Sequence, residues 1–163
     1  MEPRIDTHTP EYQAEMKPLL GVENFLHGCG LETRLMELLR LRVSQINGCA
    51  YCLDMHWKDL RALGESEQRL YGLDAWEESP YYSARERAAL RWAEAVTNLR
   101  EGHVPDGVYA AVRSEFTERE IVHLTMAVGM INFWNRLAIP LRTVPGGYVS
   151  RYLPAPATTE ASS

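Results

Sequence analysis

MELLRLRVSQINGCAYCLDMHW, residues 36–57, reads as two helices joined by a sharp corner. Before the corner, Leu31, Leu35, Leu38, Leu39, Val43 and Ile46 recur at helical spacing, which predicts one helix over Leu31–Ile46. Asn47-Gly48 stops it, because both residue types tolerate the left-handed conformation of a helix end. A second helix follows from about Cys49 to Leu63, with Gly64 as its stop. So short a turn favours an antiparallel hairpin.

The rest of the chain repeats this grammar. Ser66 caps a short helix toward Leu73. Ser83-x-x-Glu86 is a capping box, and Glu86–Leu99 is rich in strong helix formers before Gly102. Pro105–Phe116 reads as a shorter helix, since proline is tolerated in a first turn. Thr117-x-x-Glu120 is a second capping box, flanked by Phe116 and Ile121 at the positions of a hydrophobic staple. It opens a long helix to about Leu141. No segment alternates as a strand would. The expected fold is all-α, a helical bundle of about six or seven helices, with a CxxC at the N-terminus of a central helix.

Composition narrows the class. A chain of 163 residues with 45% apolar and 24% charged residues is one globular domain of ordinary size, expected over residues 1–150. Residues 151–163 form the expected disordered tail, most clearly from Pro154 onward (PAPATTEASS). A net charge of −5 argues against nucleic acid and against anionic membrane surfaces as partners. Three cysteines are too few, and of the wrong parity, for a secreted disulfide scaffold. The N-terminus shows no basic segment followed by an apolar run. Ile121–Leu141 is apolar but holds His123, Asn132, Asn135, Arg136 and Pro140, so it reads as a buried helix rather than a membrane span. A cytoplasmic protein is expected.

One cluster has chemical potential. Cys49, Cys52 and His56 lie at i, i+3 and i+7, along one stripe of a helix. The corner puts both cysteines in the first turn, where unpaired N–H groups and the positive end of the helix dipole favour a thiolate. Glu37 lies roughly 13 Å back from the corner and His56 roughly 10 Å beyond it, at the helical rise per residue. In an antiparallel hairpin the two meet at a similar height. A carboxylate bonded to one imidazole nitrogen orients the ring, leaving the other to take a proton from Cys52 directly or through a water.

Other readings of these residues stay open at this point. A CxxC is often structural, and His56 or Glu37 alone is more often a packing or surface residue. Two thiolates and an imidazole are also zinc ligands, with His103 and His123 as arbitrary fourth donors. Haem attachment is excluded because Leu53, not histidine, follows Cys52. Cys29 has no partner at motif spacing and reads as a small buried hydrophobe. Trp92, Trp134, Met126 and Met130 read as core or interface. Asn135 and Arg136 read as structural, with an acidic partner for Arg136 expected on another helix or subunit.

At these residues the chain resembles the alkylhydroperoxidase D-like proteins of the carboxymuconolactone decarboxylase superfamily. Glu37 followed by LRVSQINGCAYCLDMH (41–56) has the family spacing E-x11-C-x2-C-x3-H. GESEQRLYGLDAW (64–76), ERAALRWAEAVT (86–97) and INFWNRLAIPLR (131–142) also look like family segments. The resemblance implies an all-helical fold assembled as a trimer or hexamer, and thiol-dependent reduction of peroxides without a bound cofactor or metal. It implies that Cys52 attacks the peroxide and becomes a sulfenic acid, and that Cys49 resolves it as a disulfide. Glu37 and His56 belong to the proton relay. A lipoyl group or a thioredoxin-like protein then supplies the dithiol reductant. The best-studied family peroxidases have a second histidine just before the peroxidatic cysteine; here that position is Tyr51, a poor base at neutral pH. Weak peroxidase activity, or a different physiological oxidant, is the expected consequence. Two other roles compete with it: a general disulfide oxidoreductase, and a redox-responsive interaction module.

Overall fold

The structure, a computed structural model, describes residues 2–153. Seven α-helices make up the fold: α1 (Gln13–His27), α2 (Thr33–Asn47), α3 (Ala50–Ala62), α4 (Glu67–Tyr71), α5 (Ala84–Thr97), α6 (Asp106–Glu115) and α7 (Glu118–Leu141). Single 3-10 turns occur at Pro10–Tyr12, Leu73–Ala75 and Leu99–Glu101. No strand occurs among the described residues. The all-α expectation holds, and among the described residues no helix is long and apolar enough to cross a membrane.

Helix α2 is the axle of the molecule. It packs on α3, α5 and α7. Leu35, Met36, Leu39 and Val43 face one apolar cluster, which takes in Ala89, Trp92, Leu124, Val128 and Ile131. Leu38 and Leu41 face a second cluster with Leu60, Leu70, Leu73, Trp76 and Leu90. A helix apolar on two sides must sit between layers, and this is what its sequence encodes.

The local signals act as expected. Ser83 and Thr117 each accept from the N–H three residues on, and Glu86 and Glu120 close both capping boxes. Phe116 and Ile121 are buried around the second box. Ser66 caps α4, and Gly64 ends the preceding turn at φ +83°. The α2–α3 corner is a Schellman ending. Gly48 takes φ +70°, its N–H bonds the Gln45 carbonyl at 3.2 Å, and the Cys49 N–H bonds the Ser44 carbonyl at 3.1 Å.

Three expectations change. Helix α1 was not localised from the sequence: only Leu26 on it is buried, and Leu20 and Phe25 face solvent, so no clear stripe marks it. Arg136 has no acidic partner among the described residues; it is exposed and bonds the carbonyl and side chain of Asn132 on its own helix. Of the tail expected over 151–163, Arg151–Leu153 are described, and Arg151 and Tyr152 bond His27 and Glu37 on the folded body. Residues 154–163 lie outside the described residues. Cys29 is half-buried and packs against the first cluster.

Candidate active site

The corner delivers the two thiols. Cys49 is the N-cap of α3, and its sulfur accepts from the Cys52 N–H at 3.4 Å. Both cysteines are free and buried. The Cys49 thiol is drawn down to about 7, first by hydrogen bonding with the Cys52 thiol and then, against burial, by the Cys52 and Tyr51 N–H groups and the Asn135 amide. The same bond, burial and the neighbouring charge push Cys52 well above the ordinary thiol range. The two thiols therefore titrate as a pair, the first proton leaving Cys49 more readily than Cys52.

The hairpin brings Glu37 and His56 together. Glu37 Oε2 meets His56 Nδ1 at 2.7 Å, both side chains almost wholly buried. Arg40 bridges on through Nη1 to Glu37 at 2.8 Å and through Nη2 to Glu23 of α1 at 2.7 Å. Burial alone pushes the Glu37 carboxyl up, but His56 and Arg40 overcome it and hold it at about 2. Glu37 is thus a permanent anion that fixes the ring. The other ring nitrogen, His56 Nε2, is buried and has no hydrogen-bond partner among the described residues. An orphaned acceptor of this kind is costly unless something transient fills it.

A cavity of about 580 Å³ opens beside these groups, between α1, α3, α7 and the N-terminal segment. Cys52 and His56 line it; Cys49 does not. Its wall includes Met16, Leu20, Met55, Ile131, Trp134 and Leu137. Polar groups at this wall include Lys17, His27 and Arg151.

Of the four residues singled out from the sequence, Glu37 and His56 bond each other, Cys49 accepts from the Cys52 N–H, and Glu37, Cys52 and His56 line one cavity from which Cys49 is set back. Several neighbours had not been foreseen. Tyr51 meets a histidine after all: its hydroxyl lies 3.3 Å from His8 Nε2, supplied by the N-terminal segment. Arg4 ties that segment to the end of α7 through its N–H on the Leu141 carbonyl at 2.8 Å. Burial and the nearby Cys52 push the Tyr51 hydroxyl upward, so it stays a donor. Asn135, read as structural, is fully buried beside the thiols; its amide donates to Ser44 at 3.3 Å and accepts from Asn47 at 2.8 Å. An amide in so apolar a helix was the available signal.

The thiols and His56 do not converge as a cation-binding set. Among the described residues the three donor groups within 4.8 Å of one another are Glu37, His56 and Asp59. Each carboxylate oxygen of that set already accepts a hydrogen bond.

The chain is similar to known proteins over most of its length. Residues 10–95 match the model of the carboxymuconolactone decarboxylase family. The uncharacterized protein YdfG of Bacillus subtilis is 41% identical over 126 residues, covering 77% of this chain and 86% of YdfG. A crystal structure from Agrobacterium tumefaciens, of a protein of unknown function suggested to be the antioxidant defence protein AhpD, superposes with a TM-score of 0.83 at 41% identity, covering 90% of this chain and all of that one. The debrominase Bmp8 shares the fold at a TM-score of 0.69 and 17% identity, over 80% of this chain and 70% of that one.

Proposed function

The chain belongs to the carboxymuconolactone decarboxylase family, as an alkylhydroperoxidase D-like member, and from that premise we propose that it is a thiol-dependent peroxidase acting on organic hydroperoxides. One observation carries the reading: a cavity-facing thiol, Cys52, shares its wall with a buried imidazole whose one nitrogen is fixed by Glu37 and whose other is unpartnered. That is a nucleophile, base and orienter arrangement.

In this reading Cys52 gives its proton to His56 Nε2, directly or through a water. The thiolate attacks the terminal peroxide oxygen; the S–O bond forms as the O–O bond breaks, and the alkoxide leaves as an alcohol after taking a proton. Cys49, already the low-lying thiol, attacks the sulfenic sulfur. The S–S bond forms and water leaves. An external dithiol, lipoyl or thioredoxin-like, reduces the disulfide and is itself oxidised, so no bound cofactor is required. The apolar cavity wall favours peroxides with a hydrocarbon body.

The test is turnover of cumene hydroperoxide with a dithiol reductant. Wild type is expected to turn over, and Cys52→Ser to show none. No turnover by wild type with cumene hydroperoxide, hydrogen peroxide or a lipoamide-coupled assay overturns the peroxidase. Oxidation that changes association state without turnover would instead favour a redox-responsive module.

A further inference from the structure

Asp59 is a buried carboxylate that the chemistry above does not use. It lies one turn beyond His56 on α3, is 2% exposed, and lines the same cavity. No cation lies within 4 Å of it among the described residues, whereas Glu37 is matched by Arg40. Its donors come from elsewhere. The Ser150 hydroxyl donates to Oδ1 at 2.6 Å, and the Tyr148 hydroxyl donates to Oδ1 and Oδ2 at 2.9 and 3.1 Å. Tyr148 and Ser150, two residues apart, thus reach one carboxylate, while Val149 between them is exposed. Two residues on, the Tyr152 hydroxyl reaches Glu37 Oε1 at 3.4 Å. Lys58 anchors this strap through the carbonyls of Gly146 and Tyr148.

We propose that Asp59, held by the hydroxyls of Tyr148 and Ser150, is a positioning residue that stabilises His56 in its protonated form when it takes the Cys52 proton. The proposal rests on the relay proposed above. Hydroxyls hold a carboxylate without neutralising it, so its charge remains to act on the imidazole within 4.8 Å. Asp59 is three residues from His56 but seven from Cys52, roughly 10 Å along the helix. Its attraction for an imidazolium therefore outweighs its repulsion of the thiolate. The other charged or titratable groups around His56 are few on each element. They are Glu37 and Arg40 on α2, Lys17, Glu23 and His27 on α1, and Tyr51 beside the thiols on α3. The chain termini add His8, Tyr148, Arg151 and Tyr152, and α7 presents only uncharged side chains here.

The experiment is the pH profile of Cys52 alkylation by iodoacetamide in the reduced full chain, with the modified peptide identified by mass and folding followed by circular dichroism. Asp59→Asn is expected to move the profile to higher pH by about one unit, roughly a tenfold slower reaction at neutral pH. Ser150→Ala, which leaves more of the carboxylate charge unscreened, is expected to move it the other way by about threefold. Opposite signs are not what structural damage produces. Unmoved profiles, or both moving together, overturn the proposal. If Asp59→Asn does not fold, Ser150→Ala decides alone, and a profile at or above that of wild type overturns it. His56→Gln separates the two readings: if it moves the profile and the Asp59 and Ser150 variants do not, the relay stands and this inference falls. If His56→Gln leaves the profile unmoved, the relay itself falls.

Discussion

Glu37 is a carboxylate almost without water, kept ionised by one imidazole and one guanidinium. Removing its charge leaves Arg40 buried with Glu23 as its remaining anionic contact. Glu37→Gln is therefore expected to cost about 3 kcal/mol in urea denaturation at pH 7, the range for breaking a buried pair. The sign with pH follows from a folded value of about 2, below the roughly 4.3 of an unfolded glutamate. A depressed carboxyl contributes stability that is full well above pH 4.3 and is lost as pH falls toward 2. Wild type should lose stability steeply in that window, and Glu37→Gln should flatten the slope. Equal slopes for the two would place the acid sensitivity elsewhere. Asn135 belongs to the same scale. Its amide favours the Cys49 thiolate, so Asn135→Leu should slow thiol alkylation at pH 7 by several-fold while His56 and Glu37 remain paired.

At the scale of elements, the corner between α2 and α3 does two jobs with one backbone. It ends the first helix through Gly48 and starts the second through Cys49, so the thiol and the hairpin angle are set together. Gly48→Ala puts a Cβ into a left-handed conformation and should cost about 1 kcal/mol in chemical denaturation, with open space around the new methyl. The two capping boxes give a comparison. Ser83→Ala and Thr117→Ala should each cost about 1 kcal/mol. The two costs should match, because the glutamate of each box is also held by an arginine of another helix, Glu120 by Arg85 of α5 and Glu86 by Arg69 of α4. A markedly larger cost at either site would mean that its interhelical ion pair depends on the cap. These elements were legible because caps, glycines and apolar spacing are local signals. Helix α1 was not, since its role is to cover the cavity and supply Glu23 and His27, and a cover needs no continuous apolar stripe.

At the scale of the whole molecule, α7 leaves a row of apolar residues open to water. Val122, Met126 and Phe133 are exposed and fall on one face, with Gly129 between them. A row of this kind on a helix end to end is a typical contact surface. In keeping with the proposed reading, the chain should sediment as a trimer or hexamer, and Phe133→Glu should shift it toward the monomer. A wild-type chain that sediments as a monomer at micromolar concentration would remove assembly from the reading. The second whole-molecule feature is that the first and the last described segments both bond residues that line the cavity. His8 arrives from one and Tyr148, Ser150 and Tyr152 from the other. Each is more than 40 residues from its partner in the chain.

The amino-acid sequence by itself determined the helical class, most helix limits, the hairpin, the pairing of Glu37 with His56 across it and the place of Cys49 at the start of α3. All of these rest on contacts within about twenty residues, where helical rise and turn chemistry are enough to place a side chain. Only the tertiary structure decided which sulfur faces the cavity, which nitrogen of His56 is left unpartnered, and that Asp59, Asn135, Tyr51 and the two chain ends join the site. Those outcomes depend on how separate helices pack and on where the segment 146–152 crosses them. Spacing along one chain carries no information about either.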